Sequence, residues 1–176
     1  KIVSEEELKL LSEIGSREGS IERDEEELIR RVFTLNDMTA RDIMTPWKVV
    51  DTLAADSAVE DTVKVVYDKP YSRYPVLDKE GTVVGICQTK DLLIALAKDH
   101  GSDTVREYMM PPHFVLETKR VDDLLAAFLA SRYHLFIARD AAGKQVGVVT
   151  FEDALEQLVG EIVDETDEVV DLSKDH

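Results

Sequence analysis

Along residues 1–40, apolar side chains recur at helical spacing: Leu8, Leu11 and Ile14 first, then Leu28, Ile29, Val32 and Phe33. Ser4 followed by Glu7 is a capping box, so the first helix is expected from there until Gly15 breaks it, and a second is expected from about Arg23. Two short amphipathic helices carry little core of their own and must pack on something else. From residue 41 the period changes. Short apolar runs, "RYPVLD" with "TVVGIC" and "HLFIARD" with "KQVGVV", flank Gly-containing turns and read as paired strands. A helix precedes each pair, with Val59, Val63 and Val66 on its apolar face in one case and Val121, Leu124, Leu125 and Phe128 in the other. A closing helix follows, "KDLLIALAK" or "EDALEQLVGEI", and an extended lead-in restrained by Pro46 or Pro111 comes first.

The two stretches are copies of one unit. Tyr71 pairs with Tyr133, Asp78 with Asp140, Gly81 with Gly143, Gly85 with Gly147 and Asp91 with Asp153, all at one constant spacing. "RDIMTP" at 41–46 echoes "REYMMP" at 106–111. The expected fold is therefore α/β, built from tandem β-α-β-β-α repeats of roughly 60 residues each. The expected boundaries are an acidic helical connector at 1–40, repeats at 41–100 and 101–160, and an acidic C-terminal helix or tail at 161–176. Neither repeat has enough core to stand alone, so the two sheets are expected to pack face to face.

Composition narrows the function. With 37 acids against 21 bases the chain carries a formal charge of -16, which repels nucleic acid and anionic membrane surfaces. An anionic ligand must then be met by a local Arg or Lys, or arrive with a metal ion. The single cysteine, Cys87, excludes an internal disulfide and reads as a buried structural thiol in a reducing compartment. No apolar run is long enough to span a bilayer and no signal peptide is visible, although a chain beginning at Lys1 is compatible with a longer membrane-bound parent. The four histidines have no metal-ligand spacing, and His134 is expected in a strand as a core or interface residue. Glu161, Asp164, Glu165 and Glu168 fall near one helical face and read as a solvated or partner-facing surface rather than a metal site.

The stretch "GVVTFED" at 147–153 carries the candidate chemistry. Thr150 followed by Asp153 is a helix-capping pattern, yet the same hydroxyl and acceptor-only carboxylate could also hold a ligand. Arg73 in "YSRYPV" supplies the planar donor fork that phosphates require. No P-loop glycine pattern and no nucleophile–base pair is present, so an enzyme is not expected.

Two tandem units with "MTP" at the lead-in, "YSRYPV" on the middle strand and "GVVTFEDAL" at the close resemble a CBS-domain pair. The acidic helices before "ARDIMTP" and the "LEQLVGEIVDETDE" stretch resemble, more narrowly, the CorC/HlyC-type (cyclin M-like) magnesium and cobalt efflux family. That resemblance implies a cytosolic regulatory module of an integral membrane parent, dimeric through its CBS repeats, with an adenine nucleotide between the repeats: ATP, ADP or AMP, with or without Mg2+. The implied binding residues are Thr45, Tyr71, Ser72, Arg73, Tyr74, Pro75, Thr150 and Asp153. A dimerisation scaffold without nucleotide is the alternative. Trp47 stands where many relatives have a basic residue, and it reads as a partly buried anchor. The pseudo-symmetric second cleft would use Met110, the stretch from Tyr133 to Ile137, Gln88 and Asp91. It has Leu135 in place of Arg73 and Gln88 in place of Thr150, so one good site and one weak or empty site are expected.

Overall fold

Ser4 Oγ accepts the Glu7 N–H at 3.2 Å and Glu7 Oε2 accepts the Ser4 N–H at 3.0 Å, which starts α1 (Glu5–Arg17) as the capping box requires. These bonds come from a computed structural model that describes residues 3–160. The helix runs through Gly15, so the expected break there is corrected. Ile21 folds back on that glycine, where a Cβ would stand 2.8 Å from its Cδ1; the chain reverses later, at Gly19, whose φ is +75°. α2 (Arg23–Leu35) returns along α1, and Leu35 at its end is buried in the core of the second repeat.

The first repeat comprises α3 (Ala40–Ile43), β1 (Thr45–Pro46), a 3-10 turn at Trp47–Val49, β2 (Leu53–Ala54), α4 (Val59–Val66), β3 (Arg73–Leu77), β4 (Val83–Gln88) and α5 (Thr89–Ala97). The second has a 3-10 turn at Val105–Tyr108 where the first has α3 and none after its lead-in strand, and otherwise follows the same order: β5 (Met109–Met110), β6 (Phe114–Leu116), α6 (Val121–Ala130), β7 (Leu135–Arg139), β8 (Gln145–Thr150) and α7 (Phe151–Val159). Strand order is β2-β3-β4-β5 in one sheet and β1-β8-β7-β6 in the other. Each lead-in strand therefore belongs to the sheet of the opposite repeat, and it is β2 and β6 that open the β-α-β-β-α units. Thr45 lies opposite Val148, and Met110 opposite Ile86.

Ion pairs repeat this exchange. Arg41 from the first lead-in pairs with Glu117 of the second repeat, while Arg106 from the second lead-in reaches Asp56 of the first at 2.9 Å. Each guanidinium holds its partner carboxyl below the usual carboxylate range, chiefly through the hydrogen bond. Both arginines also donate their backbone N–H across the boundary, Arg41 to Glu117 O and Arg106 to Ala55 O.

Three apolar clusters form the core. Val59, Val63, Val66, Tyr74, Val76, Cys87 and Leu92 join helices to one sheet in the first repeat; Val121, Leu124, Phe128, Phe136 and Val149 do so in the second. Between the sheets lie Val83, Ile86, Leu135, Ile137 and Val148, so the sheets pack face to face. Alternation along β3 and β7 explains this: odd and even positions serve the two faces, until equivalent bulges at Val76/Leu77 and Ala138/Arg139. The acidic face at Glu161, Asp164, Glu165 and Glu168 lies outside the described residues.

Candidate functional site

β8 runs directly into α7, and Thr150 is the hinge between them. Its Oγ1 accepts the Asp153 N–H at 3.1 Å, and Asp153 Oδ2 accepts the Thr150 N–H at 2.8 Å. The helix cap in "GVVTFED" is therefore real. It leaves the Thr150 hydroxyl proton and Asp153 Oδ1 available to other partners. Gln88, the pseudo-equivalent of Thr150, precedes α5 with no side-chain cap bond.

Main-chain joints fix what surrounds this cap. Phe151, the first residue of α7, donates its N–H to His134 O at 3.1 Å; the equivalent Thr89 at the start of α5 donates its N–H to Ser72 O at 3.0 Å and its hydroxyl to Tyr71 O at 2.9 Å. The starts of β3 and β7 are thus tied to the starts of the closing helices. Thr45 is delivered from the opposite side, because β1 pairs with β8 at Val148.

These constraints create a cavity of about 410 Å³. Thr45, Tyr71, Ser72, Arg73, Tyr74, Pro75, Thr150 and Asp153 all line it, although they come from three separated segments. The wall also includes Val49, Val50, Asp51, His134, Leu135 and Glu152, none of which the motifs singled out for this cleft. His134 precedes β7 instead of lying within it, and its half-buried ring makes an edge contact with Phe151 at 5.7 Å. The assignment of His134 and Leu135 to a separate second cleft is corrected, since the starts of β3 and β7 converge on one cavity. Leu135 and Ile137 also belong to the inter-sheet core, on which Met110 packs. Trp47 packs on the same core as a partly buried anchor.

Electrostatically the cavity is unbalanced. Asp51, Glu152 and Asp153 face it, with Arg73 the guanidinium among its lining residues. Asp51 is paired with Lys69 at 3.0 Å, whereas Arg73 makes no ion pair among the described residues. Tyr74 is 2% exposed and its Oη has no hydrogen-bond partner, with burial the main cause that pushes its phenol pKa up. Apolar walls, carboxylate and hydroxyl groups and one guanidinium without an ion pair suit a ligand with an apolar part, hydrogen-bond donors and an anionic end. Cys87 lies elsewhere, buried, with its thiol pushed up to about 12 by burial, as a structural thiol should be. Among the described residues no cluster of His, Cys, Asp and Glu has the makings of a metal site, and no helix is long and apolar enough to cross a membrane.

The CBS domain family matches residues 40–98 and 105–160. A UPF0053 protein of Synechocystis sp. is 40% identical over 172 residues, covering 97% of this chain and 50% of its own length. The magnesium and cobalt efflux protein CorC of Escherichia coli is 34% identical over 168 residues, covering 95% and 58% respectively. The chain therefore spans about half the length of the curated relatives it matches. The CBS domain of a bacterial CNNM/CorC family Mg2+ transporter superposes with a TM-score of 0.85 at 34% identity, over 93% of this chain and 100% of that one. A structure of the same description in complex with ATP superposes with a TM-score of 0.74 at 33% identity, over 78% and 99%. With two CBS repeats that exchange lead-in strands around one cleft, and a preceding helical hairpin inside the same alignments, the chain belongs to the CorC/CNNM branch of the CBS-domain family.

Proposed function

We propose that this chain is the regulatory CBS-pair module of a CorC-like divalent-cation transport protein and binds one adenine nucleotide in the cleft between its repeats. The observation that carries this reading is the convergence of eight motif residues, drawn from both repeats and including Arg73, on one cavity. The ATP complex of a relative's CBS domain supports it. Asp153 Oδ1 and the Thr150 hydroxyl receive the ribose hydroxyls, Arg73 receives phosphate, and the main chain at Tyr74 and Pro75 reads the base edge. The module acts without catalysing a reaction, on the cytosolic side of the membrane, as a homodimer through the CBS repeats. Nucleotide favours one dimer arrangement, and the hairpin of α1 and α2 passes that bias to the membrane domain of the parent.

With Asp51 paired to Lys69, two further carboxylates, Glu152 and Asp153, against one guanidinium make the metal complex of a polyphosphate a better ligand than the bare polyanion. Calorimetric titration with AMP, ADP and ATP, each with and without Mg2+, tests this. Saturable binding near one per chain is expected, with Arg73→Ala weakening the nucleotides at least tenfold and ATP gaining most from the metal. The second reading, a dimerisation scaffold, draws on the cap itself, which accounts for Thr150 and Asp153 without any ligand. Absence of binding by all three nucleotides selects the scaffold.

A further inference from the structure

His134 lines the cleft at the start of β7, held by its own carbonyl to the first residue of α7. Its ring rests edge-on against Phe151 and is half-buried. Among the described residues the hydrogen-bonded histidine ring is that of His100, so both nitrogens of His134 are unengaged. Two unpartnered ring nitrogens at a cavity wall already short of positive charge form a donor waiting for an anion.

We propose that His134 is a second phosphate contact of this cleft and that it takes up a proton when the nucleotide binds, a role that rests on the nucleotide reading above. A phosphate brings a charge of about −1.5 to −2 near neutral pH, and Arg73 alone cannot balance it beside Glu152 and Asp153, Lys69 being already paired with Asp51. Imidazole ordinarily titrates near pH 6.5, and an adjacent anion favours its cationic form. The other ionisable residues lining the same cavity are Asp51, which is paired with Lys69, Glu152, Asp153, Tyr71, Tyr74 and Arg73. Carboxylates, phenols and guanidinium ordinarily keep one charge state between about pH 6 and 8, whereas imidazole is the side-chain type that gains a proton there beside an anion. The sign follows from linkage: the bound state holds more protons, so affinity rises as pH falls through this window. The ligand acts in the opposite sense, because its own secondary phosphate ionisation near pH 6 gives a dianion that is lost on acidification.

The test is calorimetry with AMP and with adenosine at about pH 6, 7 and 8, in buffers of different ionisation enthalpy, on the whole chain and on His134→Gln. AMP is expected to bind the parent chain with uptake of a fraction of a proton near pH 7 and to tighten about threefold to tenfold from pH 8 to pH 6. Adenosine should show neither effect. Adenosine binding by His134→Gln reports whether its cleft is intact, and the variant should bind AMP more weakly relative to adenosine and without proton uptake. Undiminished uptake in His134→Gln overturns the assignment. If that variant loses adenosine binding through misfolding, the parent chain alone remains decisive, since equal proton uptake for AMP and adenosine overturns it too. Failure of the parent chain to bind any nucleotide removes the underlying reading, whereas AMP binding without proton uptake removes only the histidine.

Discussion

Asp153 serves two purposes with two oxygens, and substitutions can separate them. Oδ2 closes the cap on Thr150, and Oδ1 is the oxygen given the ribose role proposed above. Asp153→Ala removes both, so urea unfolding should show a loss of about 0.5–2 kcal/mol, a cap's worth, together with loss of nucleotide binding. Asp153→Asn keeps an amide oxygen for the Thr150 N–H but replaces one acceptor by a donor. It should therefore stay within about 0.5 kcal/mol of the parent in stability while binding nucleotide at least tenfold more weakly. Equal nucleotide affinity in Asp153→Asn and the parent would remove Asp153 from the ribose role and leave it a cap. All eight motif residues were legible in the sequence because the repeat alignment and the family motifs pointed to them together. Asp51 and His134 were not: Asp51 sits in a connecting loop with no motif, and His134 abuts an apolar run whose first buried strand residue is its neighbour, Leu135.

Lead-in strands of two residues carry no alternation, which is why periodicity found the lead-ins but not their partners. Pairing across the repeats is decided instead by small residues that admit a second chain. At Gly147 an added Cβ would stand 2.6 Å from Thr45 O, a backbone atom, and 2.7 Å from Met44 Sδ. At Gly85, the equivalent position, the obstacle is the Met109 side chain. The same repeat alignment that paired Gly85 with Gly147 thus marked the two exchange points without revealing what they admit. Because Met109 Sδ and Cγ can rotate away and leave only its Cβ at 2.9 Å, whereas Thr45 O at 2.6 Å belongs to a paired strand and cannot, the two glycines should differ. Gly147→Ala is expected to displace β1 from β8, destabilise the chain by about 1–3 kcal/mol and weaken nucleotide binding through Thr45. Gly85→Ala should cost less and leave the cleft's affinity nearly unchanged. Thermal unfolding and titration of the two variants side by side check both statements, and equal effects would refute the difference. Gly15 teaches the converse lesson: a helix tolerates an interior glycine at about 1 kcal/mol when tertiary packing, here the return of Ile21, needs the space.

At the scale of the whole molecule, the fold class, the two repeats and the helical hairpin could be read from periodicity and self-similarity, whereas assembly depends on surfaces whose exposure only the folded chain reveals. Helix α4 packs on α5 and α6 on α7, and each pair turns apolar side chains outward. In the first repeat these are Val65, Tyr67 and Ile94, and in the second Leu129, Leu155 and Val159, with Ile94 51% and Leu129 72% exposed. Apolar side chains exposed on both repeats of one pseudo-symmetric chain suit a second copy of the same chain in the proposed dimer, each repeat against the partner's apolar surface. Charge opposes this association, since each chain carries a formal -16. Screening at higher ionic strength, with a Debye length of about 3 Å at 1 M against about 10 Å at 0.1 M, should therefore tighten the dimer, the reverse of an interface held by ion pairs. Sedimentation across a concentration series is expected to show dimers that strengthen with salt, and Ile94→Glu combined with Leu129→Glu should yield folded monomers. Because the two substitutions lie on the helices' outer faces, away from the cleft, the monomer should still bind one nucleotide per chain, while any effect of nucleotide on the arrangement of the pair disappears. A dimer that survives both glutamates, or that weakens as salt is added, would place the contact elsewhere on the molecule.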